Sequence, residues 1–371
     1  MRATTLQETD RDTVLLDTAV TEALRGPRGA NPLVGAVITA PDGTVLATGH
    51  HRGRGTEHAE VDALAAYRRR AGQESLPPLR DCTIHITLEP CDHDGVTGPC
   101  SRAILDAGLG AVRYAVPDPT GPDDGGAARL ARHGVDVVQV SGHHGAAQLN
   151  RRWHRARMEG RPFITAHLAQ SLDGRVAAAD GTSQWITGGP SRRHAHEVRA
   201  RVDAIVVGTG TVVSDDPRLT ARDALGADLD RQPLPVVQGL REIPGQAALR
   251  RADWLHVRTR SPQQVLQTLA DQPPQRPVRH LLIEGGPTVL SAWIAAGLVD
   301  ELFLYQAPLA LGDGAPGLTA LGVQTLTDAR HFDLDPADGG SIRQLGRDVL
   351  LHLTPLDHPC DQEDHVHRNH L

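Results

Sequence analysis

His58-Ala59-Glu60-Val61, then Thr87-Leu88-Glu89-Pro90-Cys91-Asp92-His93, then Gly98-Pro99-Cys100 are the residues on which the reading of this chain turns. One His, a Pro-Cys, a further Cys and a Glu two residues after the His make the ligand and proton-carrier set of a hydrolytic zinc site. Two thiolates and one imidazole leave zinc one open position for water, and the metal brings the pKa of that water toward neutrality. Hydroxide then attacks an amidine carbon, and a carboxylate beside the metal carries the proton to the departing ammonia. His58, Cys91 and Cys100 are therefore the candidate metal ligands, and Glu60 the candidate catalytic acid–base. The common signature closes with Cys-x-x-Cys, whereas here residues 92–99 separate the two Cys. A structural zinc site has four protein ligands, and His85 or His93 is available as the fourth. The Glu at position 60 favours the hydrolytic site over that alternative.

The chain has 371 residues, room for two domains at roughly 100–200 residues each. Its 38 basic residues are all Arg, and 45 acidic ones bring the net charge to −7. With three Phe, three Tyr and four Trp it lacks the basic, aromatic-studded face of a single-strand nucleic-acid binder. Four Cys, two of them given to metal, suit a reducing cytoplasm. The N-terminal residues hold no signal-peptide core, and no apolar run approaches a membrane span. These features predict a cytoplasmic enzyme acting on a small molecule, without nucleic acid or membrane.

Residues 12–25 put Val14, Leu15, Ala19, Val20, Ala23 and Leu24 on one helical stripe that Gly26-Pro27 ends. Residues 33–39 and 44–49 read as a hairpin across Pro41-Asp42-Gly43. A helix over 58–70 places His58 and Glu60 in its first turn, where amide dipoles favour an anionic site. Residues 82–88 form a strand that runs into Cys91, with Cys82 a buried small hydrophobe. Pro99-Cys100 opens the next helix, and strands at 112–116 and 135–140 flank a helix near 126–133. Residues 141–161 are crowded with Arg and His and read as a connector with a solvated, helix-compatible face. Strands then restart at 163–169, 204–207, 235–237 and 281–283. Alternating strands and helices in both halves predict two α/β domains.

The motifs in this order resemble the bifunctional deaminase–reductases of riboflavin biosynthesis over nearly the whole chain. The first half matches through Asn31-Pro32-Leu33-Val34-Gly35, the three zinc-site stretches and the long loop between the Cys. The second half matches through Arg161-Pro162-Phe163, Ser171-Leu172-Asp173-Gly174-Arg175, Gly181-Thr182-Ser183-Gln184-Trp185-Ile186-Thr187, Val207-Gly208-Thr209-Gly210-Thr211, Asp215-Asp216-Pro217 and Glu284-Gly285-Gly286-Pro287. The resemblance implies an N-terminal cytidine-deaminase-like α/β/α domain (1–145), a connector (146–161) and a C-terminal dihydrofolate-reductase-like α/β domain (162–355). A polar His-rich tail (356–371, with His358, Cys360, His365, His367 and His370) would follow, disordered. It further implies Zn2+ and NADPH as cofactors, a phosphoribosylaminopyrimidine substrate, and homo-oligomers formed through the reductase domain.

Residue roles follow from the same resemblance. Asn31 and Asp118 match deaminase substrate positions. Ala169, Trp185, Thr211, Asp215 and the Gly285-Gly286-Pro287-Thr288 turn match cofactor positions, the turn opening a helix whose free amides suit a pyrophosphate. Ser183, Arg199, Leu219, Arg222 and Glu284 match reductase substrate positions, guanidinium being suited to two-pronged phosphate binding. Each has a plainer reading: a turn at Gly285-Gly286, a core aromatic at Trp185, a turn at Asp215-Asp216, a surface ion pair at Arg199.

The departures carry equal weight. Val96 stands where the family has a Lys or Arg before the second Cys, and Thr120-Gly121 replace Asn-Pro. Losing one charge-assisted phosphate contact costs about 1.5–3 kcal/mol. His167 replaces the family's Lys; imidazole is shorter and mostly neutral at pH 7, yet it can still donate a proton. The alternatives are a paralogue acting on a related pyrimidine or purine-like metabolite, a nucleic-acid base deaminase, and a scaffold with structural zinc. A lone folate-type reductase would leave the zinc motif without a purpose.

Overall fold

The structure is a computed structural model that describes residues 2–27, 31–53, 55–93, 98–119, 125–251, 253–272 and 277–356. Val96, Thr120, Gly121 and the tail residues His358, Cys360, His365, His367 and His370 lie outside the described residues. The chain divides into two compact units, Met1–Gly160 and Arg161–Leu371.

The first unit runs α1 (Arg2–Ala23), β1 (Gly35–Thr39), β2 (Val45–His50), α2 (Ala59–Ala71), β3 (Thr83–Leu88), α3 (Cys100–Ala107), β4 (Ala111–Val116), α4 (Gly126–Arg132), β5 (Asp136–Gln139), α5 (His144–Leu149) and α6 (Arg151–Glu159). Its sheet has the order β2-β1-β3-β4-β5. The β1–β2 hairpin is antiparallel, and Asp42 Oδ1 accepts the Thr44 N–H at 2.9 Å to set its turn. β3, β4 and β5 run parallel, so β3 delivers Cys91 to the sheet edge where α3 begins. The core joins Ile38, Ile84, Ile86 and Val112 of the sheet to Leu64 of α2 and Ile104 of α3. Cys82 is buried among them.

Two details of α1 differ from the sequence reading. Val14 and Leu24 are 63% and 54% exposed, and Leu16 is buried in their place. The buried residues are Leu15, Leu16, Ala19 and Ala23; Val14 lies about 200° around the helix from Leu16, and Leu24 follows the helix end. His58 caps α2 rather than lying inside its first turn. In residues 146–161, Asn150 separates α5 from α6 and clasps Leu33, accepting its N–H at 2.9 Å and donating to its carbonyl at 2.7 Å.

The second unit runs β6 (Phe163–Ser171), β7 (Arg175–Ala177), α7 (Gly189–Arg199), β8 (Ala204–Gly208), α8 (Thr209–Asp215), β9 (Leu234–Gln238), β10 (Leu255–Val257), α9 (Pro262–Ala270), β11 (His280–Ile283), α10 (Pro287–Ala295), β12 (Glu301–Ala307), β13 (Ala315–Pro316), β14 (Phe332–Leu334), β15 (Ile342–Leu345) and β16 (Asp348–Pro355). Its main sheet has the order β10-β9-β8-β11-β6-β12-β16-β14, with β15 also on β16. Every pair from β10 to β12 is parallel, and β16 turns antiparallel to β12. The central strands β8 and β11 are apolar and buried because helices cover both faces. At the entrance, Arg161 grips both oxygens of Asp300 at 2.7 Å, and Asp300 Oδ2 also accepts the Ile164 N–H. Among the described residues no helix is long and apolar enough to cross a membrane.

Gly49 sets the distance between β2 and α2. A Cβ there would stand 2.3 Å from Ala63 N and 2.4 Å from Ala59 O, both backbone atoms that cannot swing away. Gly49→Ala is expected to push α2 off the sheet, destabilise the first unit by about 1–3 kcal/mol, and lower its zinc content. Thermal unfolding and metal analysis of the variant check this; unchanged values in both would mean that the packing yields at no cost.

Candidate functional site

The zinc-type donors converge because three element ends meet. β3 ends just before Cys91, α3 begins at Cys100, and His58 stands at the start of α2. His58 Nδ1 lies 3.2 Å from Cys100 Sγ and 3.5 Å from Cys91 Sγ, and all three donor atoms fall within 4.8 Å of one another. The hydrogen bond from Cys100 outweighs burial and holds the Cys91 thiol down at about 4. The same bond, with burial, pushes the Cys100 thiol upward. Sulfurs this close share a proton, which a divalent cation displaces. Hydrogen bonding to Cys91 raises His58 against the opposing effect of burial.

Glu60 is 3% exposed, and its Oε2 has no hydrogen-bond partner. Burial, then the charge of Cys91, raises its carboxyl to about 7. An unpartnered buried carboxylate oxygen beside a His and two Cys donors fits a hydrolytic zinc site, in which His58, Cys91 and Cys100 would hold the ion. Among the described residues the donor group contains no fourth protein ligand. His85 gives its Nε2 to Asp12 at 2.8 Å, and His93 is exposed. Among the described residues the alternative of a closed structural site therefore finds no fourth ligand.

The surrounding loops are tied to the same centre. Asn31 Nδ2 lies 2.9 Å from His51 Nε2, while His51 Nδ1 faces the Glu57 carbonyl at 3.2 Å. Burial lowers His51, so it is the neutral tautomer that donates from Nδ1 and accepts from Asn31. Its ring meets His58 edge-on at 5.2 Å. The sequence reading missed His51; its only signal is hairpin register, which returns its N–H to Val34 O at 3.0 Å. Glu89 accepts the N–H groups of Asp118 and Ala127, each at 3.2 Å, and so fixes the Asp118 turn to the end of β3. Asp92 accepts from Ser101 Oγ and, at 2.9 Å, from Arg129.

In the second unit the candidate residues gather at the C-terminal ends of parallel strands, where open α/β sheets bind ligands. Glu284 follows β11 and is gripped by Arg199, Nε at 2.9 Å and Nη2 at 2.5 Å. His167 Nδ1 stands 3.4 Å from Oε1, the oxygen that Arg199 Nε also holds. Burial pushes the Glu284 carboxyl up, but the Arg199 charge and the bonds from His167 and Arg199 prevail and hold it well below the usual range. Arg199 Nη1 and Arg222 Nε both reach Thr220, at its carbonyl (3.2 Å) and hydroxyl (3.2 Å) respectively. Leu219, buried beside Thr220, has a positive φ of 55°. Arg199, Arg222, Leu219, Glu284 and His167 are thus one cluster.

The candidate cofactor residues are more dispersed. Gly286 caps α10 without any side-chain bond, and a Cβ on it would stand 3.5 Å from Thr211 Oγ1, so these two border one space. Ala169 pairs in register with Tyr305 on β12. Trp185 is 67% exposed, not a core residue, and the Arg192 guanidinium lies 4.6 Å over its ring. Asp215 is exposed and accepts from Ser214 at 2.9 Å; Ser183 is half-buried.

A network that the sequence did not reveal supports the cluster. Arg343 donates to His194 Nε2 at 2.8 Å, and His194 Nδ1 lies 2.6 Å from the Tyr305 hydroxyl. The Tyr305 ring packs 4.4 Å from the His167 ring. Since Nε2 accepts from Arg343, Nδ1 carries the hydrogen and donates to Tyr305. A separate buried group, Glu301, Asp335 and His352, is bound to Thr165 and Thr354 hydroxyls on the antiparallel side of the sheet.

Residues 9–116 match the cytidine and deoxycytidylate deaminase zinc-binding region, and residues 162–337 match the RibD C-terminal domain. The riboflavin biosynthesis protein RibD of Mycobacterium tuberculosis (strain ATCC 25618 / H37Rv) is 40% identical over 333 residues, covering 89% of this chain and 93% of that protein. The protein of the same name from Escherichia coli (strain K12) is 36% identical over 358 residues, covering 87% and 93%. The solved Acinetobacter baumannii RibD superposes with a TM-score of 0.82 at 31% identity, covering 94% of this chain and 100% of that one. The Thermotoga maritima diaminohydroxyphosphoribosylaminopyrimidine deaminase/5-amino-6-(5-phosphoribosylamino)uracil reductase gives 0.79 at 26% identity, with the same coverage.

Burial, then the charge of Arg343, lowers His194 to about 3. A depressed folded pKa gives stability that is present above the ordinary value of 6.5 and lost as pH falls toward 3. The second unit is therefore expected to lose stability across that window, and His194→Asn to flatten the loss. Denaturant midpoints of both proteins at several pH values check it; parallel curves would refute the assignment.

Proposed function

The chain belongs to the RibD family, and from that premise we propose how its residues divide two consecutive reactions. The protein is a bifunctional enzyme of riboflavin biosynthesis, a zinc-dependent deaminase and an NADPH-dependent reductase. We assign deamination of 2,5-diamino-6-(ribosylamino)pyrimidin-4-one 5′-phosphate to residues 1–145. Reduction of the ribosyl group to ribityl falls to residues 162–355, with 146–161 as connector and 356–371 as a polar tail.

In the first reaction His58, Cys91 and Cys100 would hold zinc, which supplies Lewis-acid activation of water. Glu60 takes the water proton at Oε2 and hands it to the departing ammonia; its carboxyl near neutral suits both steps. Asn31, oriented by His51, hydrogen-bonds the substrate, and Asp118, held by Glu89, lies near its ribose or phosphate.

In the second reaction NADPH supplies the reducing equivalents. The start of α10 (Gly285, Gly286, Pro287, Thr288) offers its free amides to the pyrophosphate, and Ala169, Trp185, Thr211 and Asp215 border the cofactor. Ser183, Leu219 and Arg222 line the substrate side. Arg199 holds Glu284 ionised, so Glu284 accepts from a ribose hydroxyl while His167 delivers the proton. A homo-oligomer through the reductase unit has support in the exposed Leu334 and Ile342 near its β16 side. The net charge of −7 speaks against a nucleic-acid partner, and the few cysteines support a reducing, cytoplasmic setting.

The observation that carries the deaminase assignment is the unpartnered Glu60 oxygen beside the His58, Cys91 and Cys100 donors. Ammonia release and NADPH oxidation are to be followed separately on the diaminopyrimidinone phosphate. Both are expected from the wild type. Glu60→Gln should keep its zinc, lose about 10²–10⁴-fold in ammonia release, and still reduce the predeaminated substrate. A zinc-loaded wild type giving neither signal would sink the substrate assignment and favour the paralogue to which Val96 and Thr120 point.

A further inference from the structure

The network from Arg343 through His194 to Tyr305 ends in a hydrogen without an acceptor. Arg343 can only donate, so His194 Nε2 accepts from it at 2.8 Å. His194 is neutral, since burial and then the charge of Arg343 lower it to about 3. Its one ring hydrogen therefore sits on Nδ1 and is donated to the Tyr305 hydroxyl oxygen at 2.6 Å. The Tyr305 O–H must then point away from His194. Tyr305 is 1% exposed, and among the described residues no acceptor for that hydrogen lies within hydrogen-bond reach. Burial, then the charge of Glu284, raises Tyr305, so the hydroxyl keeps its proton. Leaving a buried donor unused is costly.

The hydroxyl belongs to the reductase cluster. β6 and β12 run parallel, with His167 opposite Phe303 and Ala169 opposite Tyr305. Residues two apart on a strand share a face, so His167, Ala169 and Tyr305 stand on the same side of the sheet. The Tyr305 and His167 rings are 4.4 Å apart. Both oxygens of Glu284 are held by Arg199, and one of them also faces His167, so Glu284 does not take the Tyr305 hydrogen. The acceptor that remains is a ligand entering beside His167 from the open ends of the strands.

We propose that Tyr305 is a further catalytic residue of the reductase, its hydroxyl donating a hydrogen bond to the ribose ring oxygen of the substrate as the ring opens. The inference rests on the reductase reading and adds to it the group that meets the departing oxygen. The C1′–O4′ bond breaks with its electron pair staying on O4′, while the nitrogen lone pair closes C1′=N. O4′ takes a proton from His167. Hydride from NADPH then adds to C1′ and returns the electron pair to nitrogen. Tyr305 keeps its own proton throughout. Its O–H is aimed in advance at the place where negative charge develops. Arg343 and His194 are positioning residues, because they fix the direction of that hydrogen.

The test is reduction of the predeaminated substrate by the full-length protein, with a Raman reading of the phenol. Tyr305→Phe removes only the hydroxyl. It should lower kcat about 10²-fold and leave KM, NADPH binding, ammonia release and melting temperature at the wild-type values. In a Tyr67→Phe/Tyr114→Phe background Tyr305 is the sole tyrosine, and its Raman doublet reports whether the phenol donates or accepts. The doublet should show an accepting phenol in the free protein and one that also donates once the ribityl product is bound. Arg343→Met lets His194 move its hydrogen to Nε2 and accept from Tyr305; the phenol should then donate already in the free protein, and kcat should fall about tenfold. A Tyr305→Phe kcat within about twofold of the wild type, or a doublet that the product leaves unchanged, overturns the assignment. A loss of kcat matched by a fall in melting temperature marks a structural hydroxyl and overturns it equally. A wild type that oxidises no NADPH on this substrate removes the reductase reading itself, and the role of Tyr305 with it.

Discussion

A parallel strand cannot turn straight back into its neighbour; it must leave the sheet and give way to a loop or helix first. That constraint brings strand ends and helix starts to one edge in each unit, and both candidate sites lie there. In the first unit it carries Cys91 off β3 against the start of α3 at Cys100, with His58 at the start of α2. In the second it carries Glu284 off β11 just before the uncapped start of α10. The chemistry is supplied by residues that the sheet does not need for its own hydrogen bonding.

Two buried carboxylates show how the environment decides a role. Glu60 and Glu284 are both withdrawn from water, which by itself favours the neutral acid. At Glu60 burial prevails, and the group stands near neutrality, ready to take and return a proton. At Glu284 a guanidinium fork reverses the outcome, and the carboxylate stays charged. The difference lies in the neighbours: Arg199 and His167 stand beside Glu284, whereas the charge of Cys91 adds to burial at Glu60.

The strands and helices of the first unit, and the second unit's strands at 163–169, 204–207, 235–237 and 281–283, were legible because periodic apolar residues, the Pro41-Asp42-Gly43 turn and Pro99 act locally, whereas β10, β12 to β16 and α7 to α9 went unread. The zinc donors were legible because spacing in a motif encodes them directly. Contacts that close through tertiary packing were not. His51 finds Asn31 only through hairpin register, and Arg343 reaches His194 across 149 positions. Arg199, read as a phosphate ligand, has Nε and Nη2 on Glu284, because a strand terminus and a helix end meet there. On α1 the stripe read from the sequence took in Val14 and Leu24, which the fold leaves exposed, and omitted Leu16, which it buries.

The cluster around Glu284 draws its positive charge from the guanidinium groups of Arg199 and Arg222 and its labile proton from the His167 imidazole. The chain contains no lysine, so this cluster contains no side-chain primary amine. A ribosylamine opening toward its reducible form exposes an electrophilic carbon to which a lysine would add, forming a Schiff base. Guanidinium and imidazole do not make that linkage. In the proposed reductase site the open-chain sugar would therefore meet only groups that cannot capture it covalently, which would spare the site self-inflicted glycation.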